Sequence, residues 1–203
     1  VKDYSMSNLF EQIKVEVETN QHGWATVEKA QMLATVIVCI QAKMVVEIGV
    51  WAGRSFVPMA MALKHNGSGK IVGIDPWSKA ASTVGMTGEN LKWWTEVDHD
   101  MIYKHFLNRL SFSGASSAAQ IYRCRSDEVE HDQLPEIDLL HLDGNHSDES
   151  SCYDVFHFAT KVRPGGFLFM DDIFWAKKAT DALSKHGFVE RLKLDTGALY
   201  QRT

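Results

Sequence analysis

Three cysteines in 203 residues, with no Cys-x-x-Cys and no Cys/His spacing among Cys39, Cys124 and Cys152, argue against a disulfide framework or a zinc site and predict reduced thiols. The chain also lacks any cluster of lysine and arginine. Its 21 basic and 26 acidic residues give a formal charge of -5, so it has no electrostatic footprint for nucleic acid. Its apolar run Ala34-Thr-Val-Ile-Val-Cys-Ile40 is too short to span a bilayer and does not sit where a signal peptide would. No internal repeat or low-complexity tract is visible. These absences predict a soluble, cytoplasmic protein with neither membrane nor nucleic acid as partner. What remains, 45% hydrophobic and 23% charged residues, is the composition of a globular chain able to bury a real core, most simply as one domain over 1–203.

The most informative stretch is Glu47-Ile-Gly-Val-Trp-Ala-Gly-Arg-Ser55, which follows the apolar run Met44-Val45-Val46 and precedes a helical pattern from Phe56 to Lys64. Strand, glycine turn and helix is the geometry in which backbone approaches a nucleotide-like ligand closely. A dinucleotide fingerprint normally has glycine where Glu47 stands, and its helix N-terminus receives a pyrophosphate. A carboxylate there repels phosphate and welcomes a ligand carrying an ammonium and a sulfonium. S-adenosylmethionine (SAM) is such a ligand, and a nicotinamide dinucleotide is not.

Elsewhere, apolar positions recur at helical spacing over 5–19 and 26–42, the second segment apolar nearly all round, as a helix beneath a sheet should be. Strands are predicted at 70–75, 120–124, 137–143, 167–170, 188–193 and 198–202. Helices are predicted at 101–110, 147–162 and 176–185, and Pro164-Gly165-Gly166 reads as a turn. Residues 78–98 show turn residues and little periodicity. Alternating strands and helices imply a doubly wound, mainly parallel α/β sheet, here seven-stranded, preceded by N-terminal helices (1–42) and interrupted by a helical cap insertion (78–115). Ligands in such sheets lie beyond the carboxyl ends of the strands, where Glu47, Asp75, Asp143 and Asp171 all fall.

These residues resemble a known family. Glu47 to Ser55 fits the E-x-G-x-x-x-G-x-S motif of class I SAM-dependent methyltransferases, notably the catechol O-methyltransferase type. Leu142-Asp-Gly-Asn-His-Ser147, Arg163-Pro-Gly-Gly166 and Asp171-Asp172 resemble the macrocin O-methyltransferase-like subgroup. The resemblance covers about 26–175 and implies a Rossmann-like SAM methyltransferase fold. It implies that Glu47 and the backbone of Gly49, Val50, Trp51 and Gly53 hold the methionine portion, with Ser55 near its carboxylate. Asp75 is placed to accept both ribose hydroxyls, although a turn aspartate before proline would look the same. Pro76 and Trp77 wall the adenine, unless Trp77 is core. Arg125, Ser126 and Asp127 occupy the loop that meets the adenine edge in the family.

Asp143, Asp171 and Asp172 end adjacent strands about 4.8 Å apart, so their carboxylates can converge beside the sulfonium and would repel one another without a cation. An all-oxygen set favours Mg²⁺, and the family carries a divalent ion at these positions. Asp171 or Asp172 as a helix cap is the plainer reading. His146 is the candidate general base, or else a helix cap or a hydrogen-bond partner of Asp143; His141, deeper in the strand, reads as structural. The aromatics of 78–115, among them Trp93, Trp94 and His99, either select the acceptor or pack the cap or a dimer contact. The expected function is Mg²⁺-dependent O-methylation of a small hydroxylated acceptor of sugar or natural-product type, in a chain able to form a homodimer. The alternatives are a metal-independent O- or N-methyltransferase and a non-catalytic SAM-binding protein.

Overall fold

The computed structural model describes residues 5–130 and 134–203, so the first four residues of the N-terminal segment lie outside the described residues. Two helices open the chain, α1 (Met6–Thr19) and α2 (Val27–Cys39), each started by a hydroxyl cap: Ser5 accepts from the Asn8 amide and Thr26 from the Lys29 amide. Strands β1 (Met44–Ile48), β2 (Lys70–Ile74), β3 (Ala119–Tyr122), β4 (Ile137–Leu142), β5 (Val162–Met170), β6 (Phe188–Leu194) and β7 (Gly197–Arg202) form one sheet in the order β3-β2-β1-β4-β5-β7-β6. The first five run parallel, and β7 lies antiparallel to both β5 and β6. The doubly wound, mainly parallel seven-stranded sheet expected from the sequence is therefore what forms.

Helices cover both faces. On one side α1, α2 and α3 (Phe56–Asn66) bury Leu9, Ile13, Leu33, Ile37, Phe56 and Leu63 against Val45 and Leu139. On the other, α7 (Asp148–Phe158) and α8 (Lys177–Leu183) bury Val155, Phe158 and Leu183 against Val46, Leu140 and Leu168. The switch from Val45 to Val46 and from Leu139 to Leu140 is the period-two alternation of a strand buried on both faces.

Two segments differ from expectation. β5 begins at Val162, not Phe167, because the Arg163-Pro-Gly-Gly166 stretch stays in the strand as a bulge: Ile137 pairs with Val162, and the register then shifts to Leu139 with Phe167. The expected cap also divides. α6 (His99–Phe112) is the crossover between β2 and β3, with Ile102, Phe106 and Leu110 buried. Short helices α4 (Lys79–Ser82) and α5 (Gly88–Glu96) occupy the stretch without periodicity, and neither buries a residue. With no buried stripe there was no apolar period to detect. Among the described residues no helix is long and apolar enough to cross a membrane.

Candidate active site

Strand pairing decides which side chains meet. Glu47 pairs in register with His141, and His141 with Phe169. Alternation then sends Glu47, His141, Asp143 and Asp171 to the same side of the sheet, the side that α2 and α3 cover. Glu47 is fully buried. Its Oε1 accepts from Ser55 Oγ at 2.5 Å and faces His141 Nδ1 at 2.7 Å, while Oε2 is buried without a partner. Ser55, expected near a ligand carboxylate, thus spends its hydroxyl on Glu47. A buried carboxylate oxygen left unpaired is costly unless a donor arrives from elsewhere.

His141 is also fully buried, and burial alone would lower its pKa. The carboxylate of Asp171, 3.8 Å from its Nε2, and that of Glu47, hydrogen-bonded at its Nδ1, outweigh burial and raise it to about 9. The imidazolium is the neutral-pH form. A folded-state value above the unfolded one stabilises fully below the unfolded pKa, about 6.5, and this contribution is lost as pH rises through about 9. The His141 ring resonances should therefore titrate near that upper value by NMR, and urea melts should weaken across the same interval. A ring already neutral at pH 7 would contradict the assignment.

The glycine turn is tight. A Cβ on Gly49, whose φ is +86, would lie 2.0 Å from the Asp143 carbonyl oxygen, so only glycine lets the β1 and β4 loops meet here. Gly49→Ala is expected to cost more than about 2 kcal/mol, read as a lower urea midpoint; an unchanged midpoint would count against this packing. Asp75, at the end of β2, is buried, and its two carboxylate oxygens accept the backbone N–H groups of Trp51 (2.9 Å) and Trp77 (2.7 Å). Burial pushes its pKa up to about 6 against those hydrogen bonds. Trp77 lies in the core: it is 2% exposed, packs on Tyr103 and Phe106, and donates its indole N–H to the Trp51 carbonyl at 2.7 Å. Pro76 beside it is half-buried. Val50 is buried, and Trp51 holds a φ of +50. Non-glycine residues in that region are strained, and such strain collects at ligand loops.

Asp171 and Asp172 face opposite ways. Asp171 Oδ1 accepts from Thr196 Oγ1 (3.2 Å) and from the Asp172 amide (3.1 Å), and its Oδ2 binds the ammonium of Lys29. Asp172, with a φ of +46, turns outward and lies 3.3 Å from His146 Nε2. Asp143 sits between, its Oδ2 3.6 Å from Lys29 and 4.0 Å from His141 Nε2. Two donor groups result, His141–Asp143–Asp171 and Asp143–His146–Asp172, each with donor atoms within 4.8 Å of one another. Burial, opposed by the charge of Lys29 and reinforced by that of Asp171, raises the pKa of Asp143. Asp171 moves down despite burial, held by His141 and Lys29.

No motif in the sequence marks Lys29. It is 5% exposed, on the stripe it shares with Leu33 and Ile37. A lysine at i, i+4, i+8 spacing with two core residues was the available signal. Arg125 is exposed and pairs with Asp127 at 2.6 Å, whereas Ser126 beside it is half-buried. Above the glycine turn, Trp51 stacks with Trp24 from the α1–α2 loop and touches Trp93, Trp94 and His99. Trp24 and Trp93 remain 69% and 44% exposed, so the expected cap contributes an indole surface beside the turn.

A family model described as a methyltransferase domain matches residues 46–173. The chain belongs to this family, and the resemblance to class I SAM-dependent methyltransferases is borne out. Among solved structures, the O-methyltransferase NovP is 15% identical with a TM-score of 0.74, over 98% of this chain and 100% of that one. TomG of Streptomyces achromogenes, an O-methyltransferase of tomaymycin synthesis solved with SAM, is 15% identical with a TM-score of 0.65, over 100% and 91%. An O-methyltransferase of Bacillus cereus, solved with S-adenosylhomocysteine (SAH), is 12% identical with a TM-score of 0.59, over 98% and 90%. At these identities the likeness is one of fold. A comparison with curated sequences found no match.

Proposed function

We propose that the chain, read as one domain over 1–203, transfers the methyl group of SAM to a hydroxyl of a small-molecule acceptor. The observation that carries this reading is Glu47: a fully buried carboxylate with an unpaired oxygen, set directly before the glycine turn. A cationic ligand supplies what that oxygen lacks, and a pyrophosphate does not. The structural likeness to O-methyltransferases supports oxygen as the accepting atom.

Each residue then has a task. Glu47 and the backbone from Gly49 to Gly53 take the methionine end. Asp75 already orders the turn through Trp51 and Trp77, and its remaining acceptor capacity faces the ribose. Ser126 and Pro76 border the adenine. Asp143 lies on the sulfonium side, and His146, with Nε2 unpartnered and beside Asp172, takes the acceptor proton. The carboxylates of the two donor groups, His141–Asp143–Asp171 and Asp143–His146–Asp172, suit Mg²⁺. When bound, that ion lowers the pKa of an acceptor hydroxyl and orients it. The test is transfer of labelled methyl from SAM to a panel of hydroxylated acceptors with and without EDTA. Product that falls with EDTA and returns with Mg²⁺ is expected. EDTA-insensitive product overturns the metal assignment, and product formed only on nitrogen acceptors overturns the O-methyl assignment.

A further inference from the structure

The acid cluster offers two places for a cation, and the protein fills one of them itself. Lys29 enters from α2, outside the span matched by the family model, and its ammonium contacts Asp171 Oδ2 and lies 3.6 Å from Asp143 Oδ2. His141 Nε2, fully buried and without a hydrogen-bond partner, is aimed at the same spot, 3.8 Å from Asp171 Oδ2 and 4.0 Å from Asp143 Oδ2. The other Asp171 oxygen is taken by Thr196 and the Asp172 amide. The helix carrying Lys29 is tied to the same corner, since its cap Thr26 donates to Asp195 at 2.8 Å.

We propose that Lys29 is a built-in cation: it holds Asp171 away from any divalent ion and leaves such an ion only the side of Asp143 and Asp172. Lys29 is thus a positioning residue and Asp171 an anchor for it. This rests on the divalent-ion reading above, and it departs from treating Asp171 and Asp172 as equivalent ligands. The charge balance is physical: Glu47, Asp143 and Asp171 around one imidazolium leave an excess of negative charge, and a lysine on a helix supplies a second cation that cannot dissociate.

Mn²⁺ binding followed by electron paramagnetic resonance tests this, with SAH calorimetry on the same samples. The parent chain should bind one Mn²⁺. Asp172→Asn should weaken it at least about tenfold, while Asp171→Asn stays near the parent value. Lys29→Gln should bind Mn²⁺ more tightly or take a second ion, because a position opens and a positive charge is gone, and Lys29→Arg should behave as the parent. If Asp171→Asn does not fold, the Lys29 variants carry the test. Equal losses in Asp171→Asn and Asp172→Asn, weaker Mn²⁺ binding in Lys29→Gln that still binds SAH, or SAH binding by a parent chain that binds no Mn²⁺ would each overturn the proposal. A parent chain that binds no SAH overturns the underlying SAM reading instead.

Discussion

Glu47→Gln is expected to bind SAM roughly 100-fold more weakly than the parent chain, the scale on which breaking a buried, hydrogen-bonded charge pair is felt. Glutamine keeps the shape, and its carbonyl can still accept from Ser55, so the fold is retained. What it loses is the charge. The free oxygen becomes an amide that cannot neutralise an incoming ammonium, and His141 loses the partner at 2.7 Å that helps keep it protonated. SAM and SAH share the ammonium and differ in the sulfonium, so both should weaken alike if Glu47 serves the methionine end. Calorimetry with each ligand separates the cases. Unchanged affinity for both would remove Glu47 from the binding site.

The second large effect concerns stability. Asp171→Ala is expected to cost about 3–5 kcal/mol, because it strips the buried ammonium of Lys29 of its contacting partner. Asp143, at 3.6 Å and half-buried, compensates only in part. In a chain of this size that corresponds to a fall in melting temperature on the order of 10 °C. The double variant Lys29→Met with Asp171→Leu should recover much of the loss, since replacing both ions of a buried pair by apolar groups is nearly neutral. A single variant melting with the parent would show that the pair carries no stability.

Much of this site could be read from residues alone. Apolar runs that stop at Glu47, Asp75, Asp143 and Asp171 mark strand ends, and the crossover pattern places those ends at one edge of the sheet. The face was harder. Parity along β4 and β5 puts His141 with Glu47, and puts Asp171 on the side opposite to Asp172, yet a strand apolar on both faces shows no polar alternation to mark its sides. Lys29 was hidden for the converse reason, beside Glu28 at the start of a helix otherwise apolar nearly all round. Trp77 was open between adenine wall and core, and it is core because a positive φ turns it beneath α6 onto Phe106. The bulge at Arg163–Gly166 looked like a turn because proline and glycine mark both.

Titration of the parent chain with SAH by isothermal calorimetry, with NAD as the comparison, shows whether Glu47 selects an ammonium ligand. Saturable binding of one SAH per chain and no heat from NAD are expected, since Glu47 rejects a pyrophosphate where it welcomes an ammonium. Binding of NAD, or no binding of SAH, would contradict that role of Glu47.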